Sequence, residues 1–149
     1  MAKEKNWKLV STRHEKLHRA VQLGLEYPVV RNQRSVDASM TNVLFVCSRN
    51  RWRSPTAERI YRGKAGLNVR SAGTSKAAVH PLTADDVAWA DVIILMEDKH
   101  KSRMAAAFPD GIRYKDIHVL GIPDDYRFMQ PELVEELTQT IDPILFPDT

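Results

Sequence analysis

Two apolar runs without a polar interruption, Val43-Leu44-Phe45-Val46 and Val92-Ile93-Ile94-Leu95-Met96, constrain the fold of this chain more than any other feature. A strand with one face in water alternates apolar and polar side chains. A run that is apolar throughout needs cover on both faces, the situation of a strand inside a parallel sheet layered by helices. The intervening stretches supply the helices. Ser54-Pro55 opens one carrying Ala57, Ile60 and Tyr61, and Thr83 begins a second that ends near Ala90. Lys99 to Phe108 forms a third, stopped by Pro109-Asp110-Gly111, and Pro131 stands in the first turn of a last helix with Leu133, Val134 and Leu137 on one face. Val69 to Ala72, broken by Gly73, and Ile117 to Leu120 read as two weaker strands. The order of strand, turn and helix, repeated, is that of an α/β fold.

Residues 1 to 39 stand apart from this pattern. They hold eight Lys/Arg and four Asp/Glu, a net +4, whereas residues 40 to 149 hold fourteen and fifteen, a net −1. The basic excess behind the overall +3 therefore belongs to the first segment, where it is a weak footprint for nucleic acid. Thr12 and Glu15 have capping-box spacing and Leu17, Val21 and Leu25 recur every four residues, so one helix is expected before Tyr27-Pro28. His14 and His18 have helical metal-ligand spacing, but further ligands are missing nearby, and a solvated face is expected. Val29 to Ser39 is patternless and reads as a linker. The expected organisation is a basic helical extension and linker over 1–39, then one domain over 40–149. Met40 reads as a start in its own right, with the preceding residues an appendage or a translated upstream region. A chain begun at Met40 should then fold by itself; a random-coil circular dichroism spectrum from it would refute this.

With 43% hydrophobic and 28% charged residues the chain has the balance of a folded globular protein. No apolar run approaches the ~20 residues that cross a bilayer, and MAKEKNWKLV lacks the apolar core of a secretory signal, so a soluble cytoplasmic protein is expected. One cysteine permits neither an intramolecular disulfide nor a Cys-rich metal site. Cys47 is thus either buried filler or a reagent.

Its neighbours favour the reagent. In Val43 to Ser54, VLFVCSRNRWRS, a buried strand delivers a Cys to a loop, and the loop enters a helix at Ser54-Pro55. The first N–H groups of a helix lack intrahelical partners and carry partial positive charge, so anions settle there. A thiol facing that end, beside Arg49, Arg51 and Arg53, is expected to act as a thiolate nucleophile. Arg53 can fold back across the loop and match two phosphate oxygens with its planar fork. Ser54 can donate its hydroxyl to the sulfur, and Asn50 is the loop residue best suited to a left-handed backbone.

The stretch Cys47-Ser48-Arg49-Asn50-Arg51-Trp52-Arg53-Ser54-Pro55 resembles the signature loop of the low-molecular-weight protein tyrosine phosphatases. The similarity continues through Ser71-Ala72-Gly73-Thr74, the Val92 to Met96 strand followed by Glu97-Asp98, and an acidic turn before the last helix. The resemblance implies a three-layer αβα fold with a four-stranded parallel sheet, helices on both faces, and the phosphate site at the carboxyl end of the first strand. It also implies roles: Cys47 as nucleophile, Arg53 binding phosphate, Asn50 and Ser54 ordering the loop, and a general acid in the turn Pro123-Asp124-Asp125-Tyr126. Asp124 aligns best with the acid, but Asp125 stands where the family usually has Pro, so the two compete. Arg49 replaces a common loop Gly, and Trp52 stands where some members carry a second Cys.

The expected function is hydrolysis of phosphate monoesters, with protein phosphotyrosine the favoured substrate, through a phosphocysteine intermediate. Ser48, Arg49, Asn50, Arg51, Trp52 and Tyr126 are expected to contact substrate, with Phe128 a further candidate wall. The expected partners are a phosphorylated protein or small phosphate ester, with inorganic phosphate as product. Neither metal nor cofactor is called for, and no membrane. Two rivals remain: arsenate reduction with an external thiol, distinguished by arsenate turnover with glutathione or mycothiol, and a non-catalytic phosphoanion-binding module, against which the intact Cys, Arg, Ser and Asp argue.

Overall fold

The computed structural model describes residues 40–147, so the helix expected within residues 12–25 lies outside the described residues. Along the chain come β1 (Thr41–Cys47), α1 (Arg53–Tyr61), β2 (Leu67–Gly73), α2 (Ala84–Trp89), β3 (Val92–Leu95), α3 (Asp98–Ala107), β4 (Asp116–Val119) and α4 (Pro131–Leu145). The four strands form one sheet in the order β2-β1-β3-β4, and every pairing is parallel.

The two uninterrupted runs occupy the middle of the sheet, and their side chains divide between its faces by the two-residue period of a strand. Val43, Phe45 and Cys47 point with Val92, Ile94 and Met96 into one core, closed by Ala57 and Tyr61 of α1 and by Leu133, Leu137, Ile141 and Leu145 of α4. Leu44 and Val46 point with Ile93 and Leu95 into the other, closed by Val87 of α2 and Met104 of α3. The sheet is therefore the middle of three layers. Each fully buried Val, Leu, Ile, Phe or Met among them contributes about 1.5–3 kcal/mol. The flanking strands are less covered. All four residues of β4 are only partly buried, which explains their weak apolar signal in the sequence.

Local chemistry sets the helix ends. Thr83 caps α2 by accepting the N–H of Asp86, whose carboxylate returns to the Thr83 N–H, a reciprocal capping box. Pro131 opens α4, and Pro143 lies in its last turn, where it removes one helical hydrogen bond. The helix nonetheless continues to Leu145, because Ile141 and Leu145 lie in the core and the Tyr61 hydroxyl donates to Asp142 at 2.5 Å. Among the described residues, no helix is long and apolar enough to cross a membrane.

Candidate active site

β1 ends at Cys47, the chain turns through residues 48–52, and α1 begins at Arg53. Trp52, the residue before the helix, offers no side-chain cap, and the first turn contains no acidic residue. No backbone N–H from Ser48 through Arg53 donates a hydrogen bond to another group among the described residues. The loop's carbonyls, by contrast, are tied down from outside: Cys47, Ser48 and Arg49 accept from the N–H groups of Thr74, Ser75 and Val79 at 2.9, 2.9 and 3.0 Å. A loop whose carbonyls are engaged and whose successive amides lack acceptors has the hydrogen-bonding character of an anion-binding nest.

Gly73 makes the brace possible. A Cβ there would sit 2.5 Å from the Ser48 carbonyl oxygen and 2.6 Å from Ala78 Cβ. Asn50 takes the left-handed conformation, with φ of 55°. Its amide donates to Ser54 Oγ at 2.8 Å and Ser71 Oγ at 2.9 Å, and Ser71 in turn donates to Glu58. Because Ser54 Oγ accepts from Asn50, its own proton is free for the Cys47 sulfur, 3.0 Å away and far closer than the competing Ala72 carbonyl allows at 3.4 Å. Cys47 is almost fully buried, yet its sulfur lines a cavity of about 290 Å³ together with Arg49, Arg51, Trp52, Arg53 and Asp124.

Arg53 is only 2% exposed. One Nη donates to Glu97 at 2.6 Å and to the Ile122 carbonyl at 2.9 Å, while its Nε is buried without a hydrogen-bond acceptor. Asp124 Oδ1 lies 3.6 Å from that Nε, an ionic contact too long for a hydrogen bond. Burial opposes ionisation of Glu97, but the hydrogen bond and charge of Arg53 prevail and hold its carboxyl below the usual range. A buried N–H donor without a hydrogen-bond acceptor, lining the same cavity as Cys47, is suited to an anion there.

The sequence-based candidates thus divide. Cys47, Arg49, Arg51, Trp52, Arg53 and Asp124 share the cavity, and Asn50 and Ser54 support it from behind. Ser48 faces α3, where its hydroxyl meets His100 Nε2 at 2.8 Å. Asp125 is exposed and does not line the cavity. Tyr126 donates its hydroxyl to Glu136 at 2.8 Å and packs partly against the core, also outside the lining. Phe128 is 45% exposed.

Glu97 and His100 support the loop, a role that nothing in their sequence surroundings announces, while the neighbouring Asp98 is exposed at the start of α3. His100 is fully buried; its Nδ1 accepts the Glu97 N–H at 3.0 Å, which places the ring proton on Nε2, facing Ser48. Burial first, and the Arg53 charge second, push its pKa down from 6.5 to about 4. The unfolded chain therefore takes up this proton before the folded one does. The stabilisation is complete above pH 6.5 and is lost as pH falls toward 4, up to roughly 3 kcal/mol. Urea unfolding across that window should show a shallower loss in His100→Asn, which keeps an acceptor but cannot titrate; equal slopes would refute this.

With this geometry in view, the chain has the fold of the low-molecular-weight protein tyrosine phosphatases. No family model and no curated protein matches it, and the likeness is one of structure. It is similar to a mutant of the YwlE arginine phosphatase with a phosphorylated active-site serine, at 24% identity and TM-score 0.54, over 72% of this chain and 98% of that one. SP-PTP, a low molecular weight protein tyrosine phosphatase from Streptococcus pyogenes, is 20% identical at TM-score 0.53, over 71% of this chain and 89% of that one. Wzb of Vibrio vulnificus, in complex with benzylphosphonate, is 23% identical at TM-score 0.54, over 71% and 94%.

Proposed function

We propose that this protein hydrolyses phosphate monoesters through a phosphocysteine intermediate, with protein phosphotyrosine as the substrate. The observation that carries this reading is the loop from Cys47 to Arg53, whose backbone N–H groups from Ser48 onward have no acceptor among the described residues, and whose Cys47 and Arg53 line one cavity with the Arg53 Nε lacking a hydrogen-bond acceptor. Such a site binds a tetrahedral oxyanion and places a nucleophile behind its central atom.

The thiolate attacks phosphorus, forming an S–P bond as the ester P–O bond breaks. Asp124, protonated at that moment, gives its proton to the leaving oxygen. Water then attacks the phosphocysteine while Asp124 takes a proton from it, the S–P bond breaks, and phosphate leaves with the thiolate restored. Ser54 stabilises the sulfur at both ends of the cycle, from 3.0 Å. Asp124 is preferred to Asp125 as the acid because it alone lines the cavity. Trp52 offers an apolar wall for an aromatic leaving group.

Hydrolysis of p-nitrophenyl phosphate in the presence of a chelator tests this reading. Asp124→Asn should lower kcat by about 10²- to 10⁴-fold, the usual worth of a positioned acid and base, while Asp125→Asn stays within about threefold of wild type. The reverse ranking would assign the acid to Asp125. Arsenate reduction coupled to glutathione or mycothiol, without phosphatase turnover, would replace the reading altogether.

A further inference from the structure

The mouth of the cavity carries guanidinium groups that the chemical steps do not use. Arg49 and Arg51 line it and are exposed. Arg127, three residues beyond Asp124, lays its guanidinium over the Trp52 ring at 5.5 Å, and Arg51 approaches the same ring at 5.3 Å. The indole thus holds two guanidinium groups near the cavity, where they present positive charge to an anion. Among the described residues no carboxylate forms an ion pair with Arg49, Arg51 or Arg127, whereas Arg62 has one and Arg53 and Arg70 have two each. The opposing charges on this side are Asp124, turned toward Arg53, and the exposed Asp125.

Apolar surface adjoins the cations. Phe128 and Met129 follow Arg127 directly and are 45% and 36% exposed. Their segment is anchored beside the cavity, because the Met129 N–H donates to Thr56 Oγ1 at 2.9 Å and Thr56 donates to the Trp52 carbonyl. A rim of cations next to exposed apolar side chains suits a polypeptide bearing acidic residues better than a lone small ester.

We propose that Arg49, Arg51 and Arg127 form a specificity rim that selects phosphotyrosine flanked by acidic side chains. This rests on the phosphatase reading above and adds a preference to it. The scissile phosphate occupies the amide cradle, and carboxylates on neighbouring residues of the substrate meet the guanidinium groups on either side of Trp52. Because the rim is in water, it acts mainly on capture, through KM and kcat/KM, and salt weakens it.

Two peptides differing only in Glu or Lys on both sides of phosphotyrosine provide the test. The wild type should favour the Glu peptide in kcat/KM by about tenfold or more at low ionic strength, with the ratio shrinking as salt rises. In the double variant Arg51→Gln, Arg127→Gln the ratio should fall to within about twofold. Reading a ratio within each variant cancels any general loss of activity. A wild-type ratio near one, or a ratio unchanged in the double variant, overturns the proposal. Turnover of p-nitrophenyl phosphate, measured in parallel, separates the levels: present with a ratio near one, only the rim is refuted; absent together with peptide turnover, the phosphatase reading falls with it.

Discussion

Replacing Cys47 by serine should lower p-nitrophenyl phosphate turnover by about four orders of magnitude or more, while the protein still folds and still binds inorganic phosphate. The expectation follows from what each neighbour contributes. The amides of the loop and the buried Arg53 donor hold the oxyanion and do not depend on the sulfur. The nucleophile itself does, because a serine hydroxyl keeps its proton far more firmly than a thiol and is a much weaker nucleophile than a thiolate, and the 3.0 Å contact suits a sulfur accepting from Ser54. Folding should survive, since serine is no larger than cysteine and its hydroxyl finds Ser54 as a partner. Activity of the variant within about a hundredfold of wild type, after removal of any contaminating phosphatase, would contradict the mechanism.

The second large effect is expected at Arg53. Arg53→Lys keeps the charge but loses the planar fork that reaches Glu97 and the Ile122 carbonyl from one nitrogen while presenting Nε to the cavity. kcat/KM should fall by about 10³-fold, comparable with removal of a key oxyanion donor, and phosphate should bind more weakly. A thermal melt distinguishes this from unfolding, since a lysine retaining the Glu97 pair lowers Tm only modestly. If Arg53→Lys stayed within about tenfold of wild type, Arg53 would be a structural partner of Glu97 and no more.

The sequence made the framework legible because its signals are local. An apolar run such as Val92 to Met96 needs two covering layers whatever its neighbours are, and it lies between two cores. The loop from Cys47 to Ser54 was legible for the same reason: strand, loop and helix are consecutive. Glu97 and His100 were not, since they reach the loop only because β3 lies beside β1 with Leu95 opposite Val46, which brings the end of β3 to the phosphate loop. Arg53 and Glu97 are 44 residues apart, and Ser48 and His100 are 52 apart; no spacing rule links such pairs. Adjacent side chains on an irregular turn posed the remaining difficulty. Asp124 turns toward Arg53, and Tyr126, expected as a wall of the pocket, instead gives its hydroxyl to Glu136 on α4. Direction in a turn is decided by tertiary packing.

The most direct measurement uses the Asp124→Asn variant, rapidly mixed with radiolabelled p-nitrophenyl phosphate and quenched. Nitrophenolate departs without needing a proton, so the first step proceeds while hydrolysis of the intermediate, which needs Asp124 as base, is slowed. Phosphorus should accumulate on the enzyme, and peptide mapping should place it on the sulfur of Cys47. Quenched protein that releases nitrophenolate in a burst yet carries no label, or carries it on another residue, would contradict nucleophilic attack by Cys47.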